Sequence, residues 1–128
     1  MAIEITGRES VQFKIGQDQV EVYYRKPDSQ EMIKYLARSL SARSGESLEY
    51  LLEAGLELAG DCILGIREGD VVLVDDCGRR VLVTDPAKTG FVQNWKGLLK
   101  QKLPGLMLML GNHLVQFTRL DAEAREKN

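Results

Sequence analysis

The 128-residue chain is poor in the side chains from which catalytic and metal sites are built, with one histidine, His113, and two cysteines, Cys62 and Cys77. A closed zinc site takes about four N or S ligands at short, regular spacings, and three scattered candidates do not supply one. Nor does a nucleophile emerge: Cys62 falls on the apolar arc of an expected helix, where a thiol is inert. The isolated glycines Gly65, Gly69 and Gly78 precede no lysine–serine or lysine–threonine pair, so no loop is shaped to cradle phosphate. The longest apolar run, Leu106 to Leu110, is far too short to span a bilayer. Met1 to Ser10 includes Glu4, Arg8 and Glu9 and has no continuous apolar stretch, which argues against a secretory leader. Seventeen basic against nineteen acidic side chains leave a formal charge of −2, so bulk attraction to nucleic acid or to an anionic membrane is not expected. These absences predict no enzyme, no cofactor, no transition metal and no membrane segment. The sparse cysteines fit an intracellular location.

What the chain does have is charge sorted along its length. Between Ser44 and Asp61 every charged residue is an acid, and between Pro86 and Thr118 every charged residue is a base. Glu49, Glu53, Glu57 and Asp61 recur every four residues, so on a helix they form one stripe, which Glu46 joins. Leu51, Leu52, Leu56, Leu58, Ala59, Cys62 and Ile63 occupy the opposite arc. Like charges at i,i+4 cost a few tenths of a kcal/mol per pair. The stripe therefore suggests a docking surface for something basic, most simply Lys96 and Lys100 of the same chain or of a neighbouring copy, against the plainer reading of a solvated helix face. The run Leu106-Met107-Leu108-Met109-Leu110 is apolar on all sides. It is either core or a binding patch, with Met107 and Met109 suited to an irregular partner.

Period-two alternation in Val11, Phe13, Ile15 and again in Val20, Val22, Tyr24 predicts a β-hairpin around a four-residue loop, Gly16 to Gln19. Ile3 and Ile5 could add a third strand. After Pro27, Asp28 and Glu31 stand at capping-box spacing, opening an amphipathic helix to about Arg43 with Met32, Ile33, Leu36, Ala37 and Leu40 on its apolar face. Ser44-Gly45 breaks it, and Ser44 or Ser47 caps the acidic helix, which should end near Leu64-Gly65. Val71 to Val74 and Val81 to Val83 flank Asp75-Asp76-Cys77-Gly78-Arg79-Arg80. They read as a second hairpin, covered on both faces, with Asp75 and Asp76 as turn residues. Asp85-Pro86 predicts the start of a helix whose arc holds Phe91, Val92, Trp95, Leu98 and Leu99. Leu103-Pro104-Gly105 separates it from a last helix carrying Leu106, Leu110, Leu114 and Phe117. The fold class is α+β. One domain spans residues 1–120, with an N-terminal β-hairpin, two packed helices, a second β-hairpin, two C-terminal helices, and a polar tail over 121–128.

This order of elements resembles the small tail assembly chaperones of long-tailed bacteriophages and prophages, over about Val11 to Phe117. The resemblance is one of layout. It is carried by a strand running into an arginine–proline step and a helix, Val20-Glu21-Val22-Tyr23-Tyr24-Arg25-Lys26-Pro27-Asp28-Ser29-Gln30-Glu31. Acidic helices follow, then a Gly-centred break at Leu64-Gly65-Ile66, an acid–glycine turn at Asp75-Asp76-Cys77-Gly78, and a short apolar helical tail. The resemblance implies a non-enzymatic homo-oligomer in the bacterial host cytoplasm that binds the tape measure protein as client and keeps it soluble until the tail forms. Partner-binding residues on that reading are Glu49, Glu53, Glu57, Asp61, Lys96, Lys100, Met107 and Met109. The alternatives are a structural subunit of a phage or bacterial assembly and a small nucleic-acid-binding regulatory domain.

Overall fold

Alternation of half-buried Val11, Phe13 and Ile15 with exposed Gln12 and Lys14 makes β1 (Glu9–Ile15), which pairs antiparallel with β2 (Asp18–Tyr24). The computed structural model describes residues 7–43 and 48–116. The turn is two residues long rather than four, because Ile15 pairs with Asp18 and Lys14 with Gln19. Gly16 alone carries a positive φ, +63°, as the first position of a type II′ hairpin turn requires. Polar Asp18 and Gln19 had looked like loop, but a strand face turned to water needs no apolar side chain.

Then come α1 (Ser29–Arg43) and α2 (Leu48–Cys62). The expected capping box opens α1: Asp28 Oδ1 accepts the Glu31 amide at 2.8 Å, and Glu31 Oε1 accepts the Asp28 amide at 2.9 Å. The acidic helix stops at Cys62, short of Leu64-Gly65, and the four residues after it form β3 (Ile63–Ile66). β3 pairs antiparallel with β2, giving the sheet order β1-β2-β3, with a bulge between Tyr23 and Tyr24. The outer edge of β3 meets a side chain: Thr84 Oγ1 accepts the Ile66 amide at 3.2 Å and lies 3.5 Å from the Ile66 carbonyl. Gly65 makes room for it, since a Cβ there would sit 2.6 Å from that hydroxyl oxygen.

The second hairpin, β4 (Val72–Asp75) and β5 (Gly78–Val81), is a separate two-stranded sheet. Its turn uses Asp75 Oδ1 to hold the Cys77 amide at 2.9 Å and Gly78 at φ +112°. It is not covered on both faces as expected, for Val74 is 69 % exposed. Only its base, through Val71, Leu73 and Leu82, meets the core. Asp85-Pro86 does not open a helix either. Asp85 Oδ1 accepts the Ala87 amide in a local turn, Gly90 takes φ +85°, and Val83 bridges Phe91. The positive φ at Gly90 cannot be helical, so α3 runs only over Trp95–Lys102, followed by α4 (Pro104–Val115).

The core lies between the sheet and α4, with α2 alongside. Val20, Val22 and Tyr24 of β2 meet Leu106, Met107, Leu110 and Leu114 of α4, together with Leu58, Ala59 and Cys62 of α2. Each fully buried leucine of α4 contributes about 1.5–3 kcal/mol by leaving water. At Gly111 a Cβ would stand 2.6 Å from the Gly55 carbonyl oxygen, so α2 and α4 pack backbone to backbone there. The molecule is an α+β fold in the expected order, with β3 as the added strand. Ile3 and Ile5, the Ser44–Gly45 break with its Ser44 or Ser47 cap, Glu46, Phe117 and the 121–128 tail lie outside the described residues.

Candidate functional site

The α1 helix shows the molecule's least expected surface. Its apolar residues are spaced as a helix's buried face should be, yet Ile33 is 66 % exposed, Leu36 40 % and Leu40 61 %. The face turned to α2 is polar instead. Tyr35 and Arg38, with Glu31 and Lys34, line a shallow cleft against Ala54, Glu57 and Leu58. What fixes this orientation is a set of ion pairs. Glu57 receives Lys34 through one carboxylate oxygen and Arg38 through the other. The bond from Lys34, and then that from Arg38, holds the Glu57 carboxyl below its ordinary range.

At the start of α1, Arg25 grips Glu31 with two parallel hydrogen bonds of 2.7 and 2.8 Å and donates a third to the Asp61 carbonyl at 2.9 Å. One guanidinium thus ties the strand end to the first turn of α1 and satisfies a carbonyl at the end of α2. The Arg25 bond is the main reason the Glu31 carboxyl is pulled down to about 2, and the Asp28 amide assists. Cys62 lies beside this cluster with its sulfur 3.9 Å from Glu31 Oε1. Burial first, and then the Glu31 charge, push its thiol up to about 12, which leaves it protonated and unreactive. Cys77 is exposed.

The residues singled out from the sequence are thus distributed over several surfaces. Within the chain the basic partners of the acidic stripe are Lys34 and Arg38 of α1, rather than Lys96 and Lys100. Lys96 donates to the Gly60 carbonyl at 3.1 Å and lies over its neighbouring Trp95 ring at 5.7 Å. Lys100 is exposed on α3. Glu49 and Glu53 are exposed on α2, and Asp61 uses its carbonyl but leaves its side chain exposed. Met107 is core at 1 % exposure, whereas Met109 is 38 % exposed beside Leu108. Residues missed by sequence reasoning are Arg25 and the Lys34–Arg38 pair. Their i,i+4 spacing on the helix preceding an acidic one was the available signal.

A cavity of about 490 Å³ opens between Tyr23, Gly65, Thr84, Pro86 and Lys88. Its bases are occupied. Lys88 bonds Glu68 at 2.8 Å, Arg67 bonds Asp70 at 3.0 Å, and Arg8 lies 3.8 Å over the Tyr23 ring. His113 is elsewhere, packed edge-on against Phe13 and Tyr24 and hydrogen-bonded to the Tyr24 hydroxyl at 3.0 Å. Among the described residues no three His, Cys, Asp or Glu side chains come together as metal ligands, and no helix is long and apolar enough to cross a membrane. Comparison with models of protein families, with curated proteins and with solved structures finds no match for the chain.

Proposed function

We propose that this chain is a non-enzymatic protein-binding module that acts as a homo-oligomer and keeps an aggregation-prone client soluble. On the resemblance of its layout to phage tail assembly chaperones, that client is a tape measure protein. The observation that carries the reading is the outward apolar face of α1, built on Ile33 and Leu36. An apolar helical face held outward by ion pairs on the other side of the helix is how a protein presents a site for the apolar side of another helix. The Arg38–Glu57 and Arg25–Glu31 pairs make the orientation a property of the fold. A tape measure protein is long and helical, so it offers many apolar stripes of the matching period. The host cytoplasm is where such a client is made and needs cover.

The test is co-expression with the long helical protein encoded immediately downstream of this chain's gene. The client should sediment when made alone, and should stay in the supernatant when made with this chain. Ile33→Asp with Leu36→Asp should return it to the pellet while leaving this chain folded by circular dichroism. A client that sediments equally with and without the chain would refute the reading, as would full protection by the double variant.

A further inference from the structure

Part of the basic charge of the fold is matched by acids of the same chain. Arg25, Lys26, Lys34, Arg38, Arg67, Arg80 and Lys88 each reach a carboxylate. Among the described residues the exposed Lys14 and Lys102 do not, and neither do Arg79, Lys96 and Lys100; what sets Lys14 and Lys102 apart is where they stand. They lie together on the rim of a groove at the junction of α3, α4 and the first hairpin. The groove consists of two cavities of about 200 and 460 Å³ that share Lys102 and Leu103. Its apolar lining includes Leu73, Leu98, Leu103 and the exposed Met109, and no carboxylate lines either half.

The complementary surface is on α2. Glu49 and Glu53 are exposed and make no ion pair among the described residues, and Leu52 between them is 47 % exposed. Helical geometry puts all three within an arc of about 100°, and the exposed Leu52 stands at its edge, where the acidic stripe borders the apolar arc to which its sequence position had assigned it. A leucine beside two carboxylates on one copy answers an apolar groove with two ammonium groups on its rim on another. Glu57, which has its own cations, is not required. We infer that copies of this chain associate head to tail, with the Glu49–Leu52–Glu53 face of α2 seated in the Lys14–Lys102 groove of the next copy. This rests on the homo-oligomer reading and identifies its interface. Such a contact uses two different patches, so it closes into a ring or runs on as a filament instead of stopping at a two-fold dimer.

Sedimentation velocity over a concentration series, at about 0.05 and about 0.5 M salt, is the test. The wild-type chain should associate, and more weakly at the higher salt. Glu49→Lys with Glu53→Lys should weaken association at least about tenfold, and so should Lys14→Glu with Lys102→Glu. Both variants change exposed residues only, and circular dichroism checks their folding. Mixed in equal amounts, the two should associate again, because every reversed face then meets a reversed partner. A wild-type chain that stays monomeric overturns the homo-oligomer reading and this interface together, even if the groove then proves to hold an acidic client segment. A wild-type oligomer indifferent to both variants, or a mixture that stays monomeric, overturns the interface alone.

Discussion

Helices α1 and α4 carry apolar stripes of similar length and meet opposite fates. α4 is gripped on several sides: Leu106, Met107, Leu110 and Leu114 are at most 1 % exposed, and Gly111 lets α2 approach to backbone contact. α1 touches the body through α2, by polar and aromatic side chains, and its leucines and Ile33 look outward. α4 is held by burial, whose strength scales with area removed from water. α1 is held by ion pairs and a cap, which are directional and depend on pH and salt. A helix fixed by directional contacts can afford an apolar face that belongs to something else.

The largest effect should come from the gripped helix. Leu110→Ala, at a position with no exposed surface, should destabilise by about 2–5 kcal/mol in a denaturant titration, and a cost under about 1 kcal/mol would mean α4 is not the centre of the core. Next is the electrostatic hold on α1. The Glu31 carboxyl is lowered to about 2 in the folded state, chiefly by Arg25, so its contribution is complete above the usual carboxylate range. It is lost as pH falls from about 5 towards 2, because the unfolded chain binds the proton first. Allowing for solvent around the partly exposed Arg25, Glu31→Gln should cost about 1–2 kcal/mol at neutral pH, and the variant should show less acid sensitivity between pH 5 and 2 on the order of that amount. An unchanged acid profile would mean that the pair does not steer α1. The smallest effect is at the outward face, where Ile33→Ser with Leu36→Ser should alter stability by less than about 1 kcal/mol while impairing client protection. A loss comparable to that of Leu110→Ala would show the α1 face to be buried.

The sequence was most readable where structure is decided within one turn. Asp28 and Glu31 declare a helix start because both halves of the capping box lie three residues apart. The first hairpin could be recognised from its alternation. The strand Ile63–Ile66 could not, since four apolar residues after an apolar helix look like more helix, and only pairing with β2 makes them extended. The expected α3 started too early because Asp-Pro favours both helix starts and turns, and it is Gly90, five residues before Trp95, that decides between them. The α1 face could be read as apolar, but not that Ile33, Leu36 and Leu40 would stand in solvent. Periodicity tells which residues share a face but not whether a neighbour covers it. The acidic stripe posed the same problem: its charge was plain, while its partners Lys34 and Arg38 became visible only when α1 and α2 were packed.

Thr84 gives the sheet a guarded edge at β3. The outer edge of a three-stranded sheet is normally a template on which a further strand can add its own ladder. Here one hydroxyl occupies the amide and lies against the carbonyl that Ile66 would offer, and Gly65 leaves the space for it to do so. An incoming extended segment would first have to displace that hydroxyl. Strand addition at the β3 edge is thus discouraged by a side chain that belongs to no strand of the sheet.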